Sequence, residues 1–414
     1  MSALQPVRGM RDLLPDDSRR HRHVIETARL VAERYGYLEM STPILEASEV
    51  FKRTLGDTSD VVTKEMYTFV DRGGEEVTLR PEATAGVARA LISGGLAQDL
   101  PLKVFVNGPM FRYERPQKGR LRQFHQIDVE LLGVAEPAGD VEVIALGARI
   151  LEALGVLERT TLELNTLGDG ESRAAYRTAL VAYLEGHRAS LSPDSVARLE
   201  RNPLRILDSK DEGDRKIIAT APEFTDYLNE PSRNFIGAVR SGLDALGIGY
   251  TMNPRLVRGL DYYCHTAFEF TTTALGSQGA VLAGGRYDGL TETMGGPRVA
   301  GIGWAGGIER LAMLIEAAPP AMRPVAIVPI GETAERHALV LADSLRRDGF
   351  VVELGYRGAL GKRLKRASKL NARVAVLIGD DELAREVATV RDLDSGEQTQ
   401  VSLSALKDDL ARYR

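Results

Sequence analysis

The 414-residue chain has a single cysteine, Cys264, a single tryptophan and only six histidines. One cysteine cannot close an internal disulfide, and no Cys/His group has the short spacing of a zinc motif. Such cysteine usage suits a reducing compartment. No apolar run approaches the roughly 20 residues of a membrane-spanning helix. The opening MSALQPVRGMRDLLPDD lacks the apolar stretch of a secretory signal. A soluble, cytoplasmic protein is therefore expected. An excess of one charge is missing as well: 53 basic residues face 58 acidic ones, for a formal charge of −5. With 41 Gly and 18 Pro the chain is neither fibrous nor disordered. It carries no solenoid-type repeat. What remains is an ordinary globular composition, long enough for about two to three domains.

Charge is distributed unevenly. Residues 324–414 hold 15 Lys/Arg and 14 Asp/Glu, a net of +1, which leaves −6 for the first 323. Residues 357–373 hold seven basic side chains and no acid. Mild overall acidity thus leaves room for a nucleic-acid partner, because local charge matters more than the sum.

Apolar periodicity predicts a helix over 15–35, stopped by Gly36, and strands at 37–43, 75–79, 103–112 and 124–132. From about 171 to 246 the pattern turns helical and charged, like an insertion. A strand returns at 267–272, and a glycine-rich stretch, 284–307, runs into an apolar helix at 308–318. Pro319, Pro320 and Pro324 mark a linker. Beyond it strand and helix alternate, which predicts a small α/β unit with a parallel-type sheet. The expected domains are 1–318, with the insertion at about 171–246, a linker at 319–324, and 325–414.

Three segments carry chemistry. Residues 111–124, FRYERPQKGRLRQF, hold five cations and one acid in a strand–loop–strand context. Such a hairpin aims several cations at one place and suits a polyphosphate, since Arg donates bidentately to phosphate oxygens. In the next strand, period two puts Gln126, Asp128 and Glu130 on one face and His125, Ile127, Val129 and Leu131 on the other. Buried carboxylates need donors. The second segment, 256–263, reads LVRGLDYY; the third, 283–311, includes AGGRYDG and then Gly301, Gly303 and Gly306 as a literal G-x-G-x-x-G. A dinucleotide fingerprint would open a βαβ unit with an acid about 20 residues on. This stretch leads through a helix into prolines, so a glycine-bearing strand that admits close approach is the better reading. The helix start then offers N–H groups and Arg310 to phosphate.

These residues resemble the histidyl-tRNA synthetases, class II aminoacyl-tRNA synthetases of bacterial type. Residues 8–12, RGMRD, resemble the family's N-terminal signature, Pro43 the motif 1 proline, residues 111–114 with their loop motif 2, and 301–311 motif 3. Residues 256–263 and 283–290 resemble stretches specific to histidyl enzymes. The resemblance implies an α+β fold: an antiparallel sheet flanked by helices, a helical insertion and a C-terminal α/β anticodon-binding domain. It implies a homodimer with Pro43 at the interface, and ATP-dependent ligation of L-histidine to histidine tRNA through histidyl-adenylate.

The resemblance also implies roles. Adenylate formation brings two anions together, so cations belong between and beside them. Arg112 and Arg258 would touch the α-phosphate, Arg258 doing work that a metal does in related enzymes, and Arg120 and Arg310 the β- and γ-phosphates. Glu130 and Tyr263 would satisfy the two ring nitrogens of histidine. Glu82, Ala83, Thr84 and Gln126 would surround its α-amino end, with Tyr262 close by. Arg115 and Gln117 of the motif 2 loop would meet the acceptor end of the tRNA. Lys362, Arg363, Lys365 and Arg366 are candidates for the anticodon stem. Mg²⁺ is expected to accompany ATP, with no permanently bound metal and no membrane partner.

Overall fold

The sequence's proline, acid and apolar spacing account directly for the first helix, Pro15–Arg34. Proline stands in its first turn beside Asp16 and Asp17, Arg34 closes it, and His21, Val24, Ala28, Val31 and Ala32 form its buried stripe. Gly36, at φ +81°, turns the chain out of it. A computed structural model describes residues 4–56, 59, 61–209, 211–257, 262–276 and 279–413. The chain forms two compact units, Met1–Pro319 and Pro320–Arg414.

The first unit is built on an eight-stranded sheet. Its order is Leu38–Glu39, Leu102–Phe111, Gln123–Leu132, Gly301–Gly307, Ala280–Arg286, Cys264–Thr271, Thr161–Thr166 and Thr251–Met252. The six inner strands are antiparallel, and each two-residue edge strand pairs in parallel. Ile127, Val129 and Leu131 bury their side chains against apolar residues of helices Pro15–Arg34 and Pro137–Ala153. The opposite face, with Gln126, Asp128 and Glu130, is left for chemistry.

The strand expected at 37–43 shrinks to Leu38–Glu39. The helix expected to reach residue 318 ends at Leu314. Ile315, at φ −64° and ψ 134°, has already left the helical region, and Pro319 could not have carried the helix further. A separate three-stranded sheet joins Leu45–Ala47, Glu76–Leu79 and Tyr67–Val70.

The insertion has its own apolar core, from Tyr176 through Leu180, Leu199 and Ile206 to Phe224 and Leu228. The helix Glu230–Ala245 instead buries Ile236, Val239 and Leu243 in the main core. The insertion with its own core is therefore narrower than the helical pattern of the sequence suggests.

The second unit has a five-stranded sheet, ordered Val352–Leu354, Val325–Ile330, Val374–Gly379, Val387–Asp392 and Gln398–Ser402. The first three strands are parallel, as expected, but the last two are antiparallel. The sheet is mixed because the alternation of strand and helix ends at Val374–Gly379, and a hairpin follows. Helix Glu332–Arg347 buries Ala334, Ala338, Ala342 and Leu345 in one core, and helix Leu360–Lys369 places Ala367 in another.

Candidate active site

A cleft of about 1030 Å³ opens over the polar face of the large sheet. Its floor is shaped by glycine. A Cβ at Gly303 would overlap the Glu130 carboxylate and the Val129 carbonyl; one at Gly285 would come within 2.9 Å of the Tyr263 ring. The G-x-G-x-x-G is thus part of a strand, Gly301–Gly307, in which Gly303 leaves room for the neighbouring Glu130 carboxylate to sit against it.

One end of the cleft is acidic. Glu130 is buried; Thr84 Oγ1 donates to its Oε1 at 2.6 Å and the Tyr287 hydroxyl donates to its Oε2. Burial pushes Glu130 up to about 8, against those two hydrogen bonds. Glu82 is also raised by burial, while its carboxylate accepts from the Ala85 N–H at 2.9 Å and the Tyr262 hydroxyl at 3.0 Å. Burial, Glu130 and Glu82 together push Asp128 well above the usual carboxylate range. Asp128 Oδ2 and Gln126 Oε1 are buried acceptors with no hydrogen-bond partner among the described residues, and both side chains line the cleft. This end is built to receive donors.

The other end is cationic. Arg112 lines it with Nε on the Pro81 carbonyl, 2.9 Å, and its guanidinium over the Phe124 ring, 5.5 Å. Arg120 pairs with Glu114. Arg310 donates to the Gly119 carbonyl at 3.1 Å and the Ala280 carbonyl at 2.7 Å. Burial, Arg120 and Arg112 all disfavour its charge, which marks a place where an anion would relieve repulsion. At the hairpin tip Gln117 and Arg120 exchange backbone hydrogen bonds of 2.9 Å, with Gly119 at φ +73°. The tip thereby docks Arg310 as well as carrying Arg120. Gly9 meets the same hairpin: its carbonyl accepts from the Arg122 N–H at 2.8 Å, and a Cβ there would press on the Arg122 side chain.

Of the residues singled out in the sequence, Glu82, Thr84, Arg112, Arg120, Gln126, Tyr263 and Arg310 line the cleft, and Glu130 lies against its lining residues Thr84, Tyr287 and Gly303. Arg258 lies outside the described residues. The Ala83 side chain is buried in an apolar cluster with Val87 and Leu91 and, unlike Glu82 and Thr84, does not line the cleft. Tyr262 does not line the cleft, and its hydroxyl donates to Glu82 at 3.0 Å. Arg115 and Gln117 are exposed on the hairpin. On the basic helix, Lys362 and Lys365 are exposed, and Arg366 pairs with Glu353 at 2.8 Å. Arg363 does not present its charge outward: it donates to the Gly358 and Pro329 carbonyls and to Glu335, with its side chain 8% exposed. Lys369, four residues on from Lys365 and seven from Lys362, shares their helix face and is exposed instead.

Tyr287, which lines the cleft and donates to Glu130, is a residue that sequence reasoning missed. The strand Ala280–Arg286 has an irregular register between Gly285 and Arg286, so alternation cannot say which side chain turns toward the cleft. Arg286 turns away. It is fully buried, paired with Asp140 and, at 3.0 Å, with Asp288. That ion pair raises it further despite burial. Arg286 is a bolt behind Tyr287.

The insertion supplies the remaining wall through Ser192, Asp194, Arg198, Arg205, Ser209 and Asp211. Asp214 holds this edge together. It accepts from Ser192 N and Oγ at 2.8 and 2.7 Å, and from Ser195 and Ser209 hydroxyls at 2.6 Å each. Burial opposes its ionisation, but these donors outweigh burial and hold it at about 2. Asp214→Asn should cost about 2–4 kcal/mol in the insertion's stability, because the amide turns donors toward donors. The depressed carboxyl contributes stability that is present above its unfolded value near 3.8 and lost as pH falls toward about 2. Hydrogen exchange of residues 176–228 at neutral pH checks the first statement. Equal protection in wild type and variant would refute it.

Comparison with known proteins adds family evidence. A family model described as Histidyl-tRNA synthetase matches residues 9–311, and one described as Anticodon binding domain matches 324–412. The chain is 63% identical over 414 residues to Histidine--tRNA ligase of Rhodospirillum rubrum, covering 100% of both. It is 59% identical to the Gluconacetobacter diazotrophicus ligase, covering 99% of both. The solved structure of apo S. aureus histidyl-tRNA synthetase matches with a TM-score of 0.83 and 36% identity, over 98% of this chain and 99% of that one.

Proposed function

We propose the following division of labour on the premise that the chain belongs to the histidyl-tRNA synthetase family and is a class II histidine–tRNA ligase. The family's reaction joins histidine to its tRNA at the expense of ATP. The observation that carries the assignment is the pairing of two groups in one cleft: the mutually interacting carboxylates Glu82, Asp128 and Glu130, and the mutually interacting arginines Arg112, Arg120 and Arg310, with Arg112 close enough to act on both. A zwitterionic amino acid fits with its ammonium and ring N–H toward Glu82, Asp128 and Glu130. Its carboxylate then faces Arg112, where the α-phosphate also belongs.

In the first step a histidine carboxylate oxygen attacks the α-phosphorus and pyrophosphate leaves. Arg112 and Arg258 neutralise the charge that builds on the α-phosphate, and Arg120 and Arg310 hold the departing phosphates. Mg²⁺ travels with ATP. In the second step a hydroxyl of the tRNA's terminal adenosine takes the histidyl group. Arg115 and Gln117 meet the acceptor end, and Lys362, Lys365 and Lys369, with Arg366, meet backbone phosphates of the anticodon arm.

Glu130 orients the Thr84 and Tyr287 hydroxyls, and each of its oxygens keeps a lone pair for the ring N–H of histidine. Tyr263 satisfies the second ring nitrogen. A carboxyl lying near 8 in the histidine-free site must ionise to accept that N–H. Histidine KM should therefore fall as pH rises from about 6.5 to about 8. Glu130→Gln should raise KM roughly 10–100-fold and flatten this limb. A variant with the wild-type pH profile would remove Glu130 from ring recognition.

The working protein is a homodimer in the cytoplasm. Supporting the dimer, Leu38, Ile44, Leu45, Phe69 and Val70 around the three-stranded sheet expose 42–72% of their surface beside Pro43. Exposed apolar groups clustered in this way mark an association surface. Sedimentation should give twice the chain mass; a monomer at micromolar concentration would contradict this.

A further inference from the structure

One cluster near the cleft has no role in the reaction just described. His21 comes from helix Pro15–Arg34, His125 from strand Gln123–Leu132, and Glu309 from the first turn of helix Ile308–Leu314. They are 104 and 184 residues apart (125 − 21 and 309 − 125), so no sequence spacing betrays them. One ring nitrogen of each histidine and one carboxylate oxygen all lie within 4.8 Å of one another. His125 Nδ1 is 2.9 Å from Glu309 Oε1, and the carboxylate also accepts the His125 backbone N–H at 3.0 Å. The two imidazoles meet edge to face at 5.4 Å.

An independent observation concerns His21 itself. It is 5% exposed, and its Nε2 is buried with no hydrogen-bond partner among the described residues. A ring nitrogen buried without a partner is a standing cost. Its neighbours are a second imidazole and a carboxylate, both electron-pair donors. Three donors converging on one space compete for protons, whereas a cation with vacant orbitals would satisfy all of them at once.

We propose that His21, His125 and Glu309 form a binding site for a divalent transition-metal ion, with Zn²⁺ the best match. Two imidazoles and one carboxylate are a donor set that zinc favours, with water completing four-coordination. The carboxylate can keep one oxygen on the His125 N–H while the other turns to the metal. Hard ions such as Mg²⁺ prefer all-oxygen shells and would be excluded.

The test uses the full-length protein stripped of metal. Calorimetric titration with Zn²⁺ should show one ion bound per chain, and Co²⁺ should bind at the same place with a visible absorption band. His21→Phe keeps a packed ring and should weaken Zn²⁺ binding about 10-fold or more. His21→Gln, which packs differently, should do the same, and thermal melts establish that both variants are folded. Cys264→Ser should bind as the wild type does. The proposal is overturned if the folded wild type takes up no stoichiometric zinc. It is equally overturned if both His21 variants bind with wild-type affinity, or if Cys264→Ser abolishes binding.

Discussion

Gly303→Ala is expected to lower kcat/KM for histidine in the exchange of pyrophosphate into ATP by about 10²- to 10³-fold. The added methyl would occupy space now filled by the Glu130 carboxylate and the Val129 carbonyl. The strand is paired on both sides, Gly303 opposite Gly285 and Glu130, so the backbone has nowhere to retreat. Glu130 must swing away, and it takes the Thr84 and Tyr287 hydroxyls with it. Overpacking of this kind costs about 1–3 kcal/mol of stability, which a domain of this size survives. The loss should therefore appear as kinetics from a folded protein, concentrated in the histidine term and not in that for ATP. An alanine variant with wild-type histidine kinetics would mean that the floor of the cleft is more yielding than its packing suggests.

Removing residues 320–414 should separate the two steps. The first unit keeps every cleft residue and its own apolar cores, so histidine-dependent exchange should persist. Charging of tRNA should fall about 100-fold or more, because the phosphate contacts proposed for the exposed Lys362, Lys365 and Lys369 go with the deleted unit. The deleted piece has its own apolar cores, around Val325, Ile327 and Ala338 and around Ala326 and Ala367. If exchange disappears along with charging, the second unit supports the fold or assembly of the first and not only tRNA binding.

Much of the site was legible where a period-two pattern met a charge problem. Gln126, Asp128 and Glu130 could be placed on one face before any coordinates, since alternation in an unbroken antiparallel strand leaves no choice. The cationic hairpin was equally readable. Tyr287 was not, because the register irregularity at Gly285 and Arg286 breaks the alternation that would have assigned it. Asp214 escaped for a different reason. Its partners are three serines, which look like solvent-facing residues until the insertion's helices converge. The inward turn of Arg363 depends on carbonyls from two other segments, and a basic helix read alone cannot reveal which cation is spent on its own fold. The hairpin that makes the C-terminal sheet mixed was missed because the helical rhythm before it carries over.

The most direct test of the account is ATP–pyrophosphate exchange on the purified protein, run with histidine and with every other amino acid in parallel. A cleft that combines acceptors for an ammonium and a ring N–H with a group of arginines predicts exchange with histidine alone. No exchange from folded protein, or exchange with an amino acid lacking a ring donor, would contradict it.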